Sequence, residues 1–109
     1  MVYILLAPGF EESEGIVPAD LLRQAQVDTA LVSLSGGTVT GAHNITVCAD
    51  LTLDQVDLEQ AEMIVLPGGG TGVENLWNDE RVSALIQEAA RRDIWLAALC
   101  AGPVLLARW

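Results

Sequence analysis

Four short, largely apolar runs at 2–7, 29–34, 63–66 and 94–99, each rich in Val, Ile or Leu, set the strongest limit on what this chain can become. A strand with one wet face alternates apolar and polar side chains, whereas runs without that alternation suit strands covered on both faces. Polar amphipathic stretches and turn residues separate the runs, so the pattern is strand, helix, strand. The expectation is an α/β fold, a doubly wound parallel sheet sandwiched by helices. The first crossover is predicted as a helix over about 11–26, opened by an acid-rich turn that suits its positive dipole end. A second helical segment begins near Gly72, and Asn78 or Asp79 caps a longer helix through Arg92. Residues 36–48 interrupt this rhythm and predict a small hairpin on one edge.

At 109 residues and 51% hydrophobic composition, the chain is enough for one modest domain with a single core. Fifteen acidic residues against five arginines and no lysine give a formal charge of -10, which repels phosphate backbones and anionic lipid surfaces alike. Neither nucleic acid nor a membrane surface is therefore expected as a partner. The longest apolar stretch, 94–107, falls short of the roughly 17 to 25 residues of a membrane helix and is interrupted by Gly102 and Pro103. The amino-terminal run has no basic residue before it and meets Pro8 and Gly9 too soon for a signal peptide. Cys48 and Cys100 are accordingly read as free thiols of a cytoplasmic protein.

The carboxyl-terminal stretch is anomalous. Pro103 is a good first helical residue, but the chain stops at Trp109, and four parallel strands would leave an apolar edge exposed. Residues 1–109 are read as the N-terminal portion of a single α/β domain, truncated before its closing strands.

In an open parallel sheet, ligands collect beyond the carboxyl ends of the strands. Three loops are expected to meet there: Pro8-Gly9-Phe10-Glu11-Glu12-Ser13-Glu14, Pro67-Gly68-Gly69-Gly70 and Cys100-Ala101-Gly102-Pro103. The last has the small residues on both sides, in Ala98-Leu99-Cys100-Ala101-Gly102, that a nucleophile on a sharp strand-to-helix turn requires. A helix amino end beside it favours the thiolate, so Cys100 is read as reactive rather than as a buried apolar thiol. The glycines after Pro67 offer backbone amides suited to a developing oxyanion or to a phosphate. A Walker loop is excluded because the chain has no lysine, and the dinucleotide fingerprint fails at Val73.

Glu11 and Glu12 are read as solvated partners of the helix dipole. Glu14 lies in line with Val17 and Leu21 on the stripe expected to face the sheet, where it is placed to hydrogen-bond Cys100 and shuttle a proton. His43 is assigned to a surface turn and given no catalytic role. Cys48 is expected to pack or to line a subunit contact. No His, Cys and acidic residues have metal-ligand spacing, so neither metal nor cofactor is expected.

These residues together resemble the ThiJ/PfpI superfamily, and within it the Parkinson-associated deglycase-like branch. The resemblance runs through Ala7 to Glu14, Val65-Leu66-Pro67-Gly68-Gly69, Glu74-Asn75-Leu76 and Ala97 to Pro103. It implies a flavodoxin-like sandwich, a homodimer, Cys100 as nucleophile and oxidation site, and Glu14 as its hydrogen-bonding partner. It further implies Gly69 and Ala101 amides as the oxyanion hole, and Cys48 as a second, less reactive cysteine near the dimer contact. Ala101 stands where protease-like members carry a histidine, which argues against a peptidase. The histidine that members place near the cysteine comes from a segment beyond the elbow helix, and this chain ends before it.

The expected function is a cysteine-dependent enzyme acting on small reactive carbonyls, such as methylglyoxal and its early adducts. The alternative is an oxidative-stress sensor or chaperone in which Cys100 is the oxidation site. A third reading is an interaction module without turnover.

Overall fold

The computed structural model describes residues 1–108; Trp109, the last residue of the terminal helical stretch read from the sequence, lies outside the described residues. Strand β1 (Val2–Leu6) leads into helix α1 (Glu12–Gln24) and strand β2 (Thr29–Ser33). A hairpin of β3 (Thr38–Thr40) and β4 (Thr46–Cys48) follows, then a short strand β5 (Leu51–Thr52) and a 3-10 turn over Leu53–Gln55. Strand β6 (Met63–Leu66), helices α2 (Gly70–Trp77) and α3 (Glu80–Arg91), strand β7 (Trp95–Ala98) and helix α4 (Pro103–Arg108) complete the described chain.

The main sheet runs β5-β2-β1-β6-β7 and all its pairings are parallel. The doubly wound expectation holds because each apolar run feeds both faces of this sheet. From β1, Tyr3 and Leu5 point to one side, where they pack with Val73 and Leu76 of α2, Val82 and Ile86 of α3, and Leu105 of α4. Val2, Ile4 and Leu6 point to the other, where Phe10, Ala19 of α1 and Val39 of the hairpin cover them. A strand with no wet side has no position for a polar residue, which is why the pattern showed no alternation.

Sequence and structure differ at two points. The hairpin is a separate two-stranded sheet and does not extend the main one. It is fastened to the loop after β1 by Gly9 N–H donating to the Thr40 carbonyl and Ala42 N–H to the Phe10 carbonyl. The edge position belongs to β5, whose two residues pair with Val32 and Ser33 and are too few for any periodicity to show. Helix boundaries were closer: Asp79 caps α3 by accepting from Arg81 N–H, and α1 continues through Pro18 although that residue cannot donate to the Glu14 carbonyl. The terminal helix α4 is short but anchored, with Leu105 buried and the Arg108 guanidinium 3.8 Å from the centre of the Trp77 ring. Among the described residues, no helix is long and apolar enough to cross a membrane.

Because Leu5 is wholly buried in the central strand, Leu5→Ala removes packing on a face that α2 and α3 close. The expected loss is about 2–5 kcal/mol of unfolding free energy, read from urea titration at unchanged slope. A loss below about 1 kcal/mol would contradict the central position of β1.

Candidate functional site

The loops that follow β1, β6 and β7 do converge, and backbone hydrogen bonds hold them together. Glu11 N–H donates to the Gly68 carbonyl at 2.9 Å, Gly72 N–H to the Gly9 carbonyl at 3.2 Å, and Leu99 N–H to the Leu66 carbonyl at 3.1 Å. These bonds are made just where the sheet ends, so the three loops share one rigid base.

After β7 the chain turns sharply, with Gly102 N–H returning to the Leu99 carbonyl at 2.7 Å. Cys100 occupies this turn at φ +53°, in the left-handed region that a side chain with a Cβ enters at a cost of about 1–3 kcal/mol. The position lifts the thiol out of the strand and leaves Cys100 exposed. Gly102 is required by the same turn, because a Cβ there would meet the Leu66 carbonyl oxygen at 2.5 Å. The small residue read from the sequence is therefore a backbone-to-backbone approach.

Glu14 reaches this turn from α1. Its carboxylate accepts a 2.9 Å hydrogen bond from Gly68 N–H. A Cβ on Gly68 would come within 2.5 Å of Glu14 Oε1, 2.8 Å of Cys100 Cβ and 3.1 Å of Ala101 N. Gly68 thus separates the acid from the cysteine by only its own backbone, and any larger residue would force them apart. Gly69, at φ +99°, caps α2, and neither its N–H nor that of Ala101 donates to another backbone carbonyl among the described residues. Cys48 is exposed at the end of β4 in the two-stranded sheet, apart from the turn after β7 that carries Cys100.

The stripe assigned to Glu14 needs correction. Val17 and Leu21 are 51% and 59% exposed, and the buried positions of α1 are Glu12, Gly15 and Ala19. Glu14 sits at the rim of the helix and reaches Gly68 because the loop after β6 comes to it. Glu12, expected in water, is only 6% exposed.

Burial of Glu12 is compensated by the hairpin turn. One carboxylate oxygen accepts from His43 N–H at 2.7 Å and Ile45 N–H at 3.2 Å, and the other from His43 Nδ1 at 3.0 Å. Desolvation pushes the Glu12 carboxyl up, but the His43 ring and these backbone donors outweigh it and hold it down at about 2. The imidazole is raised in turn, first by its hydrogen bond to Glu12 and then by the negative charges of Glu11 and Glu12. Glu11, expected at the helix start as a solvated dipole partner, is there the N-cap of α1, accepting from Ser13 N–H. Ligand atoms of Glu11, Glu12 and His43 lie within 4.8 Å of one another, a grouping with metal-binding donor types that sequence spacing did not reveal. Five hydrogen bonds already engage those carboxylate oxygens and the ring nitrogen, so the arrangement serves as a polar clasp between hairpin and helix. Residues 31 positions apart carry no local signal of such a contact.

The sequence profile of the DJ-1/PfpI family matches residues 1–109. Protein dj-1beta of Drosophila melanogaster is 34% identical over 106 residues, which cover 96% of this chain and 57% of that protein. Deglycase TK1284 of Thermococcus kodakarensis is 33% identical over 105 residues, covering 96% of this chain and 63% of that protein. The crystal structure of Drosophila melanogaster DJ-1beta superposes with a TM-score of 0.92 at 33% identity, over 98% of this chain and 58% of the other. The chain therefore spans less than two thirds of the length of these curated relatives.

The clasp has a definite pH signature. His43 is raised above its ordinary 6.5, so its contribution to stability is complete below 6.5 and is lost as pH rises through the higher folded value. Glu12 is lowered from 4.5 to about 2, so its contribution is present above 4.5 and lost as pH falls through about 2. The expected outcome is a clasp tightest between those two ordinary values. Thermal unfolding of the parent and of His43→Ala, compared from pH 5 to 9, should show the difference in midpoint shrinking toward alkaline pH. A difference independent of pH would refute the ion-pair character of the contact.

Proposed function

The chain belongs to the DJ-1/PfpI family, and on that premise we propose that it carries the nucleophile and acid of a cysteine-dependent enzyme for small reactive carbonyls. The observation that carries this reading is the shared position of Gly68, with the Glu14 carboxylate on one side and the Cys100 turn on the other. A general acid/base and a nucleophile must lie within one small molecule of each other, and a glycine spacer is the smallest separation a folded loop provides. The deglycase name of the Thermococcus relative supports the same substrate class.

In the proposed reaction, the Cys100 thiolate adds to the aldehyde carbon of methylglyoxal, forming a C–S bond and an oxyanion that takes a proton. The open amides of Gly69 and Ala101 are suited to receive that oxyanion. Glu14 then removes the proton from the former aldehyde carbon and returns one to the neighbouring carbon, which converts the hemithioacetal to a thioester of lactate. Water cleaves the C–S bond, releasing lactate and restoring the thiol. One water is consumed, and oxidation of the aldehyde carbon balances reduction of its neighbour, so no external oxidant or cofactor enters. The whole protein is proposed to act as a cytoplasmic homodimer formed by a single α/β domain that extends past these residues.

Exposure of Cys100 also favours a second reading, oxidation of the thiol by two equivalents of hydrogen peroxide to a sulfinic acid with release of two waters. The two are separated by turnover. In the protein expressed from its complete gene, Cys100→Ser is expected to lower lactate formation from methylglyoxal by at least ~1000-fold. Glu14→Gln, which keeps the Gly68 acceptor, is expected to lower it by about 100- to 10000-fold. Lactate formation by Cys100→Ser at the parent rate would sink the enzyme reading. Absence of lactate from the parent, with selective gain of two oxygens at Cys100 under mild peroxide, would replace it with the sensor.

A further inference from the structure

Gly68 is gripped on both sides by the N-cap and first turn of α1. Its carbonyl accepts from Glu11 N–H at 2.9 Å, and its own N–H donates to the Glu14 carboxylate at 2.9 Å. Glu12 lies between these two contacts in the chain, and its carboxylate is bound by the hairpin turn instead. That turn leaves it no slack. Ala42 N–H donates to the Phe10 carbonyl at 2.8 Å, Ile45 N–H reaches Glu12 from beyond His43, and a Cβ on Gly41 would overlap the Glu12 carboxyl group. Residues 11, 12 and 14 span less than one helical turn, so a shift of Glu12 relative to the hairpin is carried to both contacts of Gly68.

The charge on this clasp is set by a group that water reaches. The His43 side chain is 67% exposed, whereas that of Glu12 is 8% exposed. A proton gained or lost at the ring is therefore felt by a carboxylate that solvent screens poorly. Among the described residues, the charged groups facing the ring are Glu12 of α1, 3.0 Å from Nδ1, and Glu11 in the loop before it, at 3.6 Å. Residues 38–48 of the hairpin carry no other charged side chain. A neutral ring can keep its Nδ1 proton and the hydrogen bond with it, but two adjacent carboxylates then lose their counter-charge.

We propose that His43 is a positioning residue for Glu14: with a charged ring the clasp seats the Glu14 carboxylate on Gly68 N–H, and with a neutral ring that seat loosens. The inference rests on the reading of Glu14 as the acid of the Cys100 reaction, and adds to it a control by pH that acts through Glu12. The ring is raised above its ordinary 6.5, so the seated state is complete below 6.5 and is lost as pH rises through the higher value. Misplacement of a reacting group by about 1 Å costs on the order of 100-fold in rate, so even a partial loosening is visible in turnover.

The test uses the protein expressed from its complete gene and two variants: His43→Arg, whose charge persists at every pH, and His43→Gln, which keeps a donor without the charge. In the parent, the Gly68 amide resonances are expected to move with the His43 ring titration, above pH 6.5. In His43→Arg they stay at the parent's low-pH position. In His43→Gln they stay at its high-pH position, with Gly68 hydrogen exchange about 10-fold faster than in His43→Arg at the same pH. Lactate formation from methylglyoxal by His43→Arg keeps the parent's low-pH kcat to higher pH, while His43→Gln lowers kcat by ~10-fold throughout at an unchanged KM. Gly68 resonances that ignore the ring titration, or that titrate alike in both variants, would overturn the proposal; the second pattern assigns the titration to Cys100. These resonances need no substrate, so they decide the positioning role even in a protein that forms no lactate, an outcome that counts against the enzyme reading alone.

Discussion

Burial of β1 on both faces is the constraint from which the rest of the structure takes its arrangement. Its five residues pair with β2 on one side and β6 on the other, and none has more than a trace of exposure. A strand so placed requires helices above and below, which α2 and α3 supply on one face and α1 on the other. It also places the first loop beside the loop after β6, because parallel neighbours end at the same side of the sheet. The bond from Glu11 N–H to the Gly68 carbonyl follows from that adjacency. Position in the sheet therefore comes before chemistry.

The site is then made by close backbone approach. Cys100 holds a left-handed conformation that local sterics disfavour, and the turn from Leu99 to Gly102 maintains it. Gly102 lies against the Leu66 carbonyl and Gly68 against Glu14, so two missing side chains bring three loops into contact. The strain at Cys100 is held by backbone hydrogen bonds on either side of it, from Leu99 N–H to the Leu66 carbonyl and from Gly102 N–H to the Leu99 carbonyl.

Charge is distributed around this site in a less expected way. The N-cap and first turn of α1 carry Glu11, Glu12 and Glu14, and each has a separate role. Glu11 caps the helix, Glu12 is sealed under the hairpin by His43, and Glu14 faces Gly68. A chain of net charge -10 thus spends its single histidine on neutralising a buried carboxylate. Among the described residues β7 ends the sheet, with an apolar groove on each of its faces.

Much of this was legible in the residues. Runs without alternation identified the two-sided parallel sheet, and Ala98-Leu99-Cys100-Ala101-Gly102 marked the sharp turn, because periodicity and steric demand are local properties. The stripe on α1 was misread: Val17 and Leu21 are apolar at helical spacing but lie beside the β7 edge, where no element among the described residues covers them. The Glu12–His43 clasp left no trace at all, since its partners are distant in the chain and neither is unusual where it stands. By itself, the sequence determined the four longer strands of the main sheet, the helices and the type of turn at Cys100, for these depend on neighbours within a few residues. Only the tertiary structure decided which acid is buried, which faces the cysteine and which apolar face stays open. Those outcomes depend on which loops meet in space, and that is settled by packing against the whole sheet.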